Sequence, residues 1–232
     1  MFRNRGGERD LDQIILAALR GMERALAEFP KVRAGIMLLL DRRLSKDENA
    51  VVVRKAIKYQ SRGVVGIDIA GPLKDGFKYE DYADLYAEAR ANGLKTTVHT
   101  GEDGTVEEMN HVLDVLPLDR LNHGFRAYTD PKVMEKVVKK NLTMCLCPTS
   151  NLSVGFIKDL KHLKEVIQSL WKNDVKFCVN TDNPSMLNTN LRKEIDLLRQ
   201  SEALDEDQIN QTVKWAFEAS FVTTTPGKNL YL

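Results

Sequence analysis

At 232 residues the chain is long enough for one large core, and 34 Lys and Arg against 33 Asp and Glu leave a formal net charge of +1. That balance gives no global field to draw the protein to nucleic acid or to a membrane surface, so neither is expected as a partner. The cysteines, Cys145, Cys147 and Cys178, are odd in number and sit in apolar segments. They argue for buried thiols in a reducing cytosol and against a secreted disulfide framework. With no signal-like segment and no apolar run of bilayer length, the expectation is a soluble, cytoplasmic protein.

The first ten residues, charged and glycine-bearing, read as a loose lead-in. Over residues 11–29 Ile14, Ile15, Ala18, Leu19, Met22, Ala25 and Leu26 recur with helical period until Pro30 stops them. VRAGIMLLLD (32–41) is a continuous apolar run, the pattern of a strand buried on both faces. A helix follows over 46–59, a buried strand over 64–71 (VVGIDIAG), and a helix over 80–91 that Asn92-Gly93 ends. The strand beginning at Lys95 closes on KTTVHTGE, and Thr105 with Glu108 forms a capping box for a helix to Leu116. Strands are then expected over 120–125 (RLNHGF), 142–148 (LTMCLCP) and 176–184 (KFCVNTDNP), with helices over 132–140 and 160–172 between them. Helices over 191–199 and 205–221 close the chain. No linker or domain boundary is visible, so residues 1–232 are read as a single domain. Strict β/α alternation with buried strands means α/β, a parallel sheet wrapped by helices. A (β/α)8 barrel carries its chemistry at the strand carboxyl ends. An open doubly wound sheet is the runner-up, but its glycine-rich phosphate turn is not seen.

Four of the last five strand ends finish on polar groups: Asp68 with Gly71, His99 with Glu102, His123, and Asp182 with Asn183. Each alone has a bland reading: His123 as a satisfied core histidine, Asp182 as a helix cap, His99 and Glu102 as loop polar residues. Together, at tips on the same end of one sheet, imidazoles and carboxylates are what a catalytic metal with an open water position requires. His111 and His162 fall on predicted helices away from the apolar stripes and read as solvated surface residues. Cys145 and Cys147, two apart on a strand, face the same way without needing a metal.

VVGIDIAG, VHTGE, RLNHGF, CPTSN and VNTDNP, in this order, closely resemble the adenosine deaminase family of metal-dependent amidohydrolases, from about residue 11 to the C-terminus. The resemblance implies a (β/α)8 barrel and zinc-dependent hydrolytic removal of the 6-amino group from adenosine or a related adenine compound, with release of ammonia. By it His99 and Asp182 are metal ligands, Glu102 protonates the purine ring at N1, and His123 steers and deprotonates the attacking water. Gly71 offers its amide to ring nitrogen N3, and Asn183 stands where the family usually has the Asp that contacts N7. An Asn amide donates to that acceptor too.

The departures carry their own expectations. The family's first strand bears an H-x-H pair that supplies two more metal ligands, and this chain has histidines only at 99, 111, 123 and 162. The barrel is therefore expected to be incomplete, with about six βα units and the first two missing. Zinc is then expected to be weakly held or absent in this chain alone, and self-association through the open barrel edges becomes possible. Pro72-Leu73 replaces an acidic pair found in many relatives. The competing readings are a non-catalytic, truncated or degenerate barrel, and an amidohydrolase acting on a modified purine.

Overall fold

The computed structural model describes residues 11–102 and 104–222, so the lead-in expected over residues 1–10 lies outside the described residues. The chain folds as two compact units, one running to Thr96 and resuming at Ser220, the other Thr97–Ala219.

In the first unit α1 (Leu11–Glu28) buries Ile15 and Leu19, as its apolar period requires. Its Asp12 reaches Lys55 at 2.7 Å and Lys58 at 3.1 Å on α2 (Lys46–Lys58). Strand β1 (Ile36–Asp41) starts later than the apolar run suggests, because Arg33 turns back onto the carbonyls of Pro30 and Val32. Ser45 and Glu48 close a reciprocal capping box at the start of α2. β2 (Val64–Ala70) pairs parallel with β1, with Leu38 opposite Ile67 and Asp41 opposite Ala70. The helix expected over 80–91 is divided: a 3-10 turn, Tyr79–Tyr82, precedes α3 (Ala83–Ala91). Tyr79 and Tyr82 are buried against Phe77, each ring 5.0 Å from it, and this packing fixes the tighter turn. Asn49, fully buried, brackets the end of β1: its side chain accepts from the Asp41 amide and donates to the Asp41 carbonyl and to Tyr82 Oη.

β3 (Lys95–Thr100) carries the chain from the first unit into the second. There follow α4 (Val106–Val115), β4 (Arg120–His123), α5 (Pro131–Lys139), β5 (Thr143–Leu146), α6 (Pro148–Ser153), α7 (Leu160–Lys172) and β6 (Phe177–Val179). The unit ends with α8 (Pro184–Leu187), α9 (Leu191–Gln200) and α10 (Glu206–Glu218). β3 to β6 pair in sequence order, all parallel, with Thr100 opposite His123 and Cys145 opposite Cys178. At Thr105 half of the expected box forms: Thr105 Oγ1 accepts from the Glu108 amide, while Glu108 Oε2 takes the Thr100 hydroxyl at 2.7 Å. β5 and β6 are shorter than the sequence suggests: α6 opens at Pro148 just after β5, and a turn follows Val179 before α8 opens at Pro184, each helix with proline in its first turn. α10 covers β6 through Trp215, whose ring centroid lies 5.9 Å from Phe177 and 5.3 Å from Trp171. Among the described residues no helix is long and apolar enough to cross a membrane.

Candidate active site

The carboxyl ends of β3 and β4 are laced by their backbones. The Gly124 amide donates to the Thr100 carbonyl at 2.9 Å and the Arg126 amide to the Gly101 carbonyl at 3.1 Å. Gly101 and Gly124 both adopt positive φ, and a Cβ on Gly101 would stand 2.9 Å from Gly124 Cα. Glycine is therefore required where the loops touch. The lacing sets Glu102 beside His123, with Oε2 3.3 Å from Nε2.

His123 and Asp182 themselves hold left-handed φ, 59° and 54°. Side chains there are aimed by a backbone conformation that costs roughly 1–3 kcal/mol each and survives where the surroundings impose it. The surroundings are visible. α6, the turn after β5, supplies Ser150, whose Oγ donates to Asp182 Oδ2 at 2.7 Å, and Asn151, whose Nδ2 lies 3.2 Å from His123 Nδ1. Asn151 Nδ2 also donates to the Cys147 carbonyl at 3.0 Å. A carbonyl only accepts, so the amide is oriented with NH2 toward His123, whose Nδ1 must accept. The neutral ring then carries its proton on Nε2, facing Glu102. α6 is pinned in turn by Glu194 of α9, fully buried, which accepts from the Thr149 amide and from Thr189 Oγ1.

Glu102, His123 and Asp182 each offer a ligand atom, and these atoms lie within 4.8 Å of one another. The His99 ring lies beside them, its centroid 5.1 Å from that of His123, with Asn122 Nδ2 3.3 Å from its Nδ1. An amide can present donor or acceptor at that point. The acceptor orientation leaves Nε2 with a lone pair for a cation. Imidazole and carboxylate donors at this spacing fit zinc or a similar borderline ion. Asn183, exposed, donates from Nδ2 to Asp182 Oδ1 at 3.2 Å. Gly71 follows β2 in the first unit at φ 92°, its carbonyl accepting from Arg42 Nη1 at 2.8 Å.

The thiols are buried and free, as the sequence suggests. Burial, with Asp182 nearby, pushes the Cys147 thiol far up, so it stays protonated. Cys145 and Cys178 face each other with sulfurs 3.8 Å apart.

His162 corrects the sequence reading. It is half-buried: Nδ1 accepts from the Lys158 amide at 3.2 Å, and Nε2 meets Tyr128 Oη at 3.0 Å. It lines, with Glu102, Arg126, Tyr128, Phe156 and Lys158, a cavity of about 600 Å³. Its tertiary partners come from the loop after β4, which helix periodicity does not report. His111 is exposed, as expected. Ser150 and Asn151 were missed as site residues, although CPTSN stood out as a motif; nothing in the spacing says which strand end those side chains reach.

Residues 5–231 match the family model described as adenosine deaminase. An adenosine deaminase of Clostridium kluyveri is 29% identical over 95% of this chain and 62% of its own length. Among solved structures, an adenine deaminase from Arthrobacter aurescens superposes with TM-score 0.76 at 23% identity, over 89% of this chain and 63% of its own. A zinc-bound amidohydrolase from Burkholderia ambifaria gives TM-score 0.77 at 21% identity, over 88% and 56%. The chain thus spans about three fifths of the length of the proteins it matches. The fold is α/β, of the (β/α)8 barrel type and incomplete, with six strands among the described residues. The chain belongs to the adenosine deaminase family, and its relatives are deaminase hydrolases.

Proposed function

We propose that the whole protein is a zinc-dependent hydrolase that removes the 6-amino group of adenosine or a close adenine derivative. The observation that carries this reading is the convergence of Glu102, His123 and Asp182, with ligand atoms within 4.8 Å, at the ends of strands whose motifs match the family. Asp182, braced by Ser150 and Asn183, and His99, braced by Asn122, are the side chains that would hold the metal. A bound zinc would supply an acidified water close to neutral pH.

The chain's own residues do the rest. Glu102, as a carboxylic acid, gives its proton to purine N1, which draws electron density from C6 and opens that carbon to attack by water. General acid catalysis of this kind is worth roughly 10²–10⁴ in rate. His123, turned by Asn151 with its Nε2–H directed at Glu102, orients the water; the proton the water gives up returns to the ionised Glu102, which passes it to the departing amine, and the C6 hydroxyl proton then restores the acid. The Asn183 side chain is the group assigned to N7 of the ring. The adenosine and adenine deaminases among the relatives support either compound as substrate.

The test is ammonia release from adenosine and from adenine, measured with zinc, for the chain alone and for the chain extended by an H-x-H-bearing βα segment. Turnover by the extended protein, abolished by Glu102→Gln, is expected. Turnover that survives Glu102→Gln sinks the assignment.

A further inference from the structure

The cavity of about 600 Å³ beside Glu102 is large enough for a small molecule or for a sizeable part of one. Its charge is unlike that of the metal-facing side. Arg126 sits over Phe156, with the guanidinium carbon 4.5 Å from the ring centroid. Its Nε is buried with no hydrogen-bond partner. A guanidinium has five N–H donors, and leaving them unanswered in a pocket wall is costly unless a ligand answers them. Lys158, exposed, brings a second cation to the same wall.

Tyr128 adds a neutral donor. Since His162 Nδ1 accepts from the Lys158 amide, its neutral ring donates from Nε2 to Tyr128 Oη, and the tyrosine's own proton remains to be given away. Among the described residues the nearby acidic groups have other tasks: Asp159 caps α7 by accepting from the His162 amide, and Glu102 belongs to the reaction centre. Arg126, Lys158 and Tyr128, all lining one cavity, supply a guanidinium, an ammonium and a phenol, the donor set of an oxyanion site.

We propose that this cavity binds a phosphate group, held by Arg126 and Lys158 with Tyr128 donating, next to the reacting centre. The phosphate has two available sources: the monoester of a purine nucleotide whose base lies at Glu102, or free inorganic phosphate acting beside the substrate. Only the first source rests on the deaminase reading; the subsite itself does not.

The experiment is calorimetric titration of the 232-residue chain at low salt with inorganic phosphate, adenosine and AMP, repeated on Lys158→Ala and Arg126→Met. Binding of phosphate or AMP should weaken at least about ten-fold in each variant, while adenosine binding is unchanged. A preference for AMP over adenosine of that size places the phosphate on the substrate. Phosphate binding without such a preference makes it a separate ligand. Arg126→Met loses the stacking on Phe156 and must be checked for folding by circular dichroism; Lys158 is exposed, so its variant keeps the test decisive. If neither phosphate nor AMP responds to Lys158→Ala, or neither binds, the subsite is overturned. If phosphate binds through these residues and no adenine compound binds, the subsite stands by itself, and the deaminase reading is decided by turnover of the extended protein.

Discussion

Asn151 Nδ2 and His123 Nδ1 lie 3.2 Å apart, and this contact decides which nitrogen of His123 faces Glu102 with a proton on it. ¹⁵N shifts of the His123 ring in the isolated chain should report the Nε2–H form. Asn151→Ala should give a mixture of tautomers and, by removing the side-chain donor to the buried His123 Nδ1, cost about 1–3 kcal/mol in urea unfolding. An unchanged ring spectrum in that variant would show that another group sets the tautomer.

Glu102→Gln is expected to remove most turnover, roughly 10²-fold or more, while bound zinc measured by mass spectrometry stays near the wild-type amount. The two readouts separate acid from ligand. Should metal content collapse with the rate, Glu102 belongs to the coordination sphere, which its place within 4.8 Å of the other donor atoms also permits.

Gly101→Ala and Gly76→Ala place the same methyl at positive φ, 69° and 81°, in different company. At Gly101 the new carbon meets backbone at 2.9 Å, and at Gly76 it meets nothing within 4 Å. The first should lose about 2–4 kcal/mol, the second about 1–2 kcal/mol. Thermal unfolding of both variants ranks them directly, and an equal loss would mean that the loops after β3 and β4 are not in contact.

Asp12 links α1 to α2, and hydrogen bonds from Lys55 and then Lys58 lower its carboxyl from 3.8 to about 2. A depressed folded-state pKa means that the pair stabilises above the unfolded value and loses its effect as pH falls from near 4 to about 2. Asp12→Asn should therefore be less stable than wild type at neutral pH, with the gap closing in acid. A gap that persists at pH 2 would assign the loss to packing.

The strand ends were legible because burial on both faces leaves unbroken apolar runs, and a histidine or aspartate ending such a run stands out. His99, Glu102, His123 and Asp182 were singled out that way. The bracing was not legible. Ser150 and Asn151 follow a proline that reads as a strand terminus, and only the folded chain reveals that Pro148 starts a helix aimed at two neighbouring tips. Glu194 looked like one more charge on an amphipathic helix; its burial depends on Thr149 and Thr189, 45 and 5 residues away. His162 was misplaced for the same reason, since a half-turn of helix says nothing about a tyrosine 34 positions earlier.

The six residues of α6 grip two side chains from different strands, and α9 holds α6 through one carboxylate. Mechanically the centre is one part, so it should loosen in a single step. In native-state hydrogen exchange the Thr149 amide, bonded to Glu194, would open together with the Asn151 amide, bonded to the Cys147 carbonyl. Cutting the tie from α9 would bring that opening forward for both His123 and Asp182, at a distance from either.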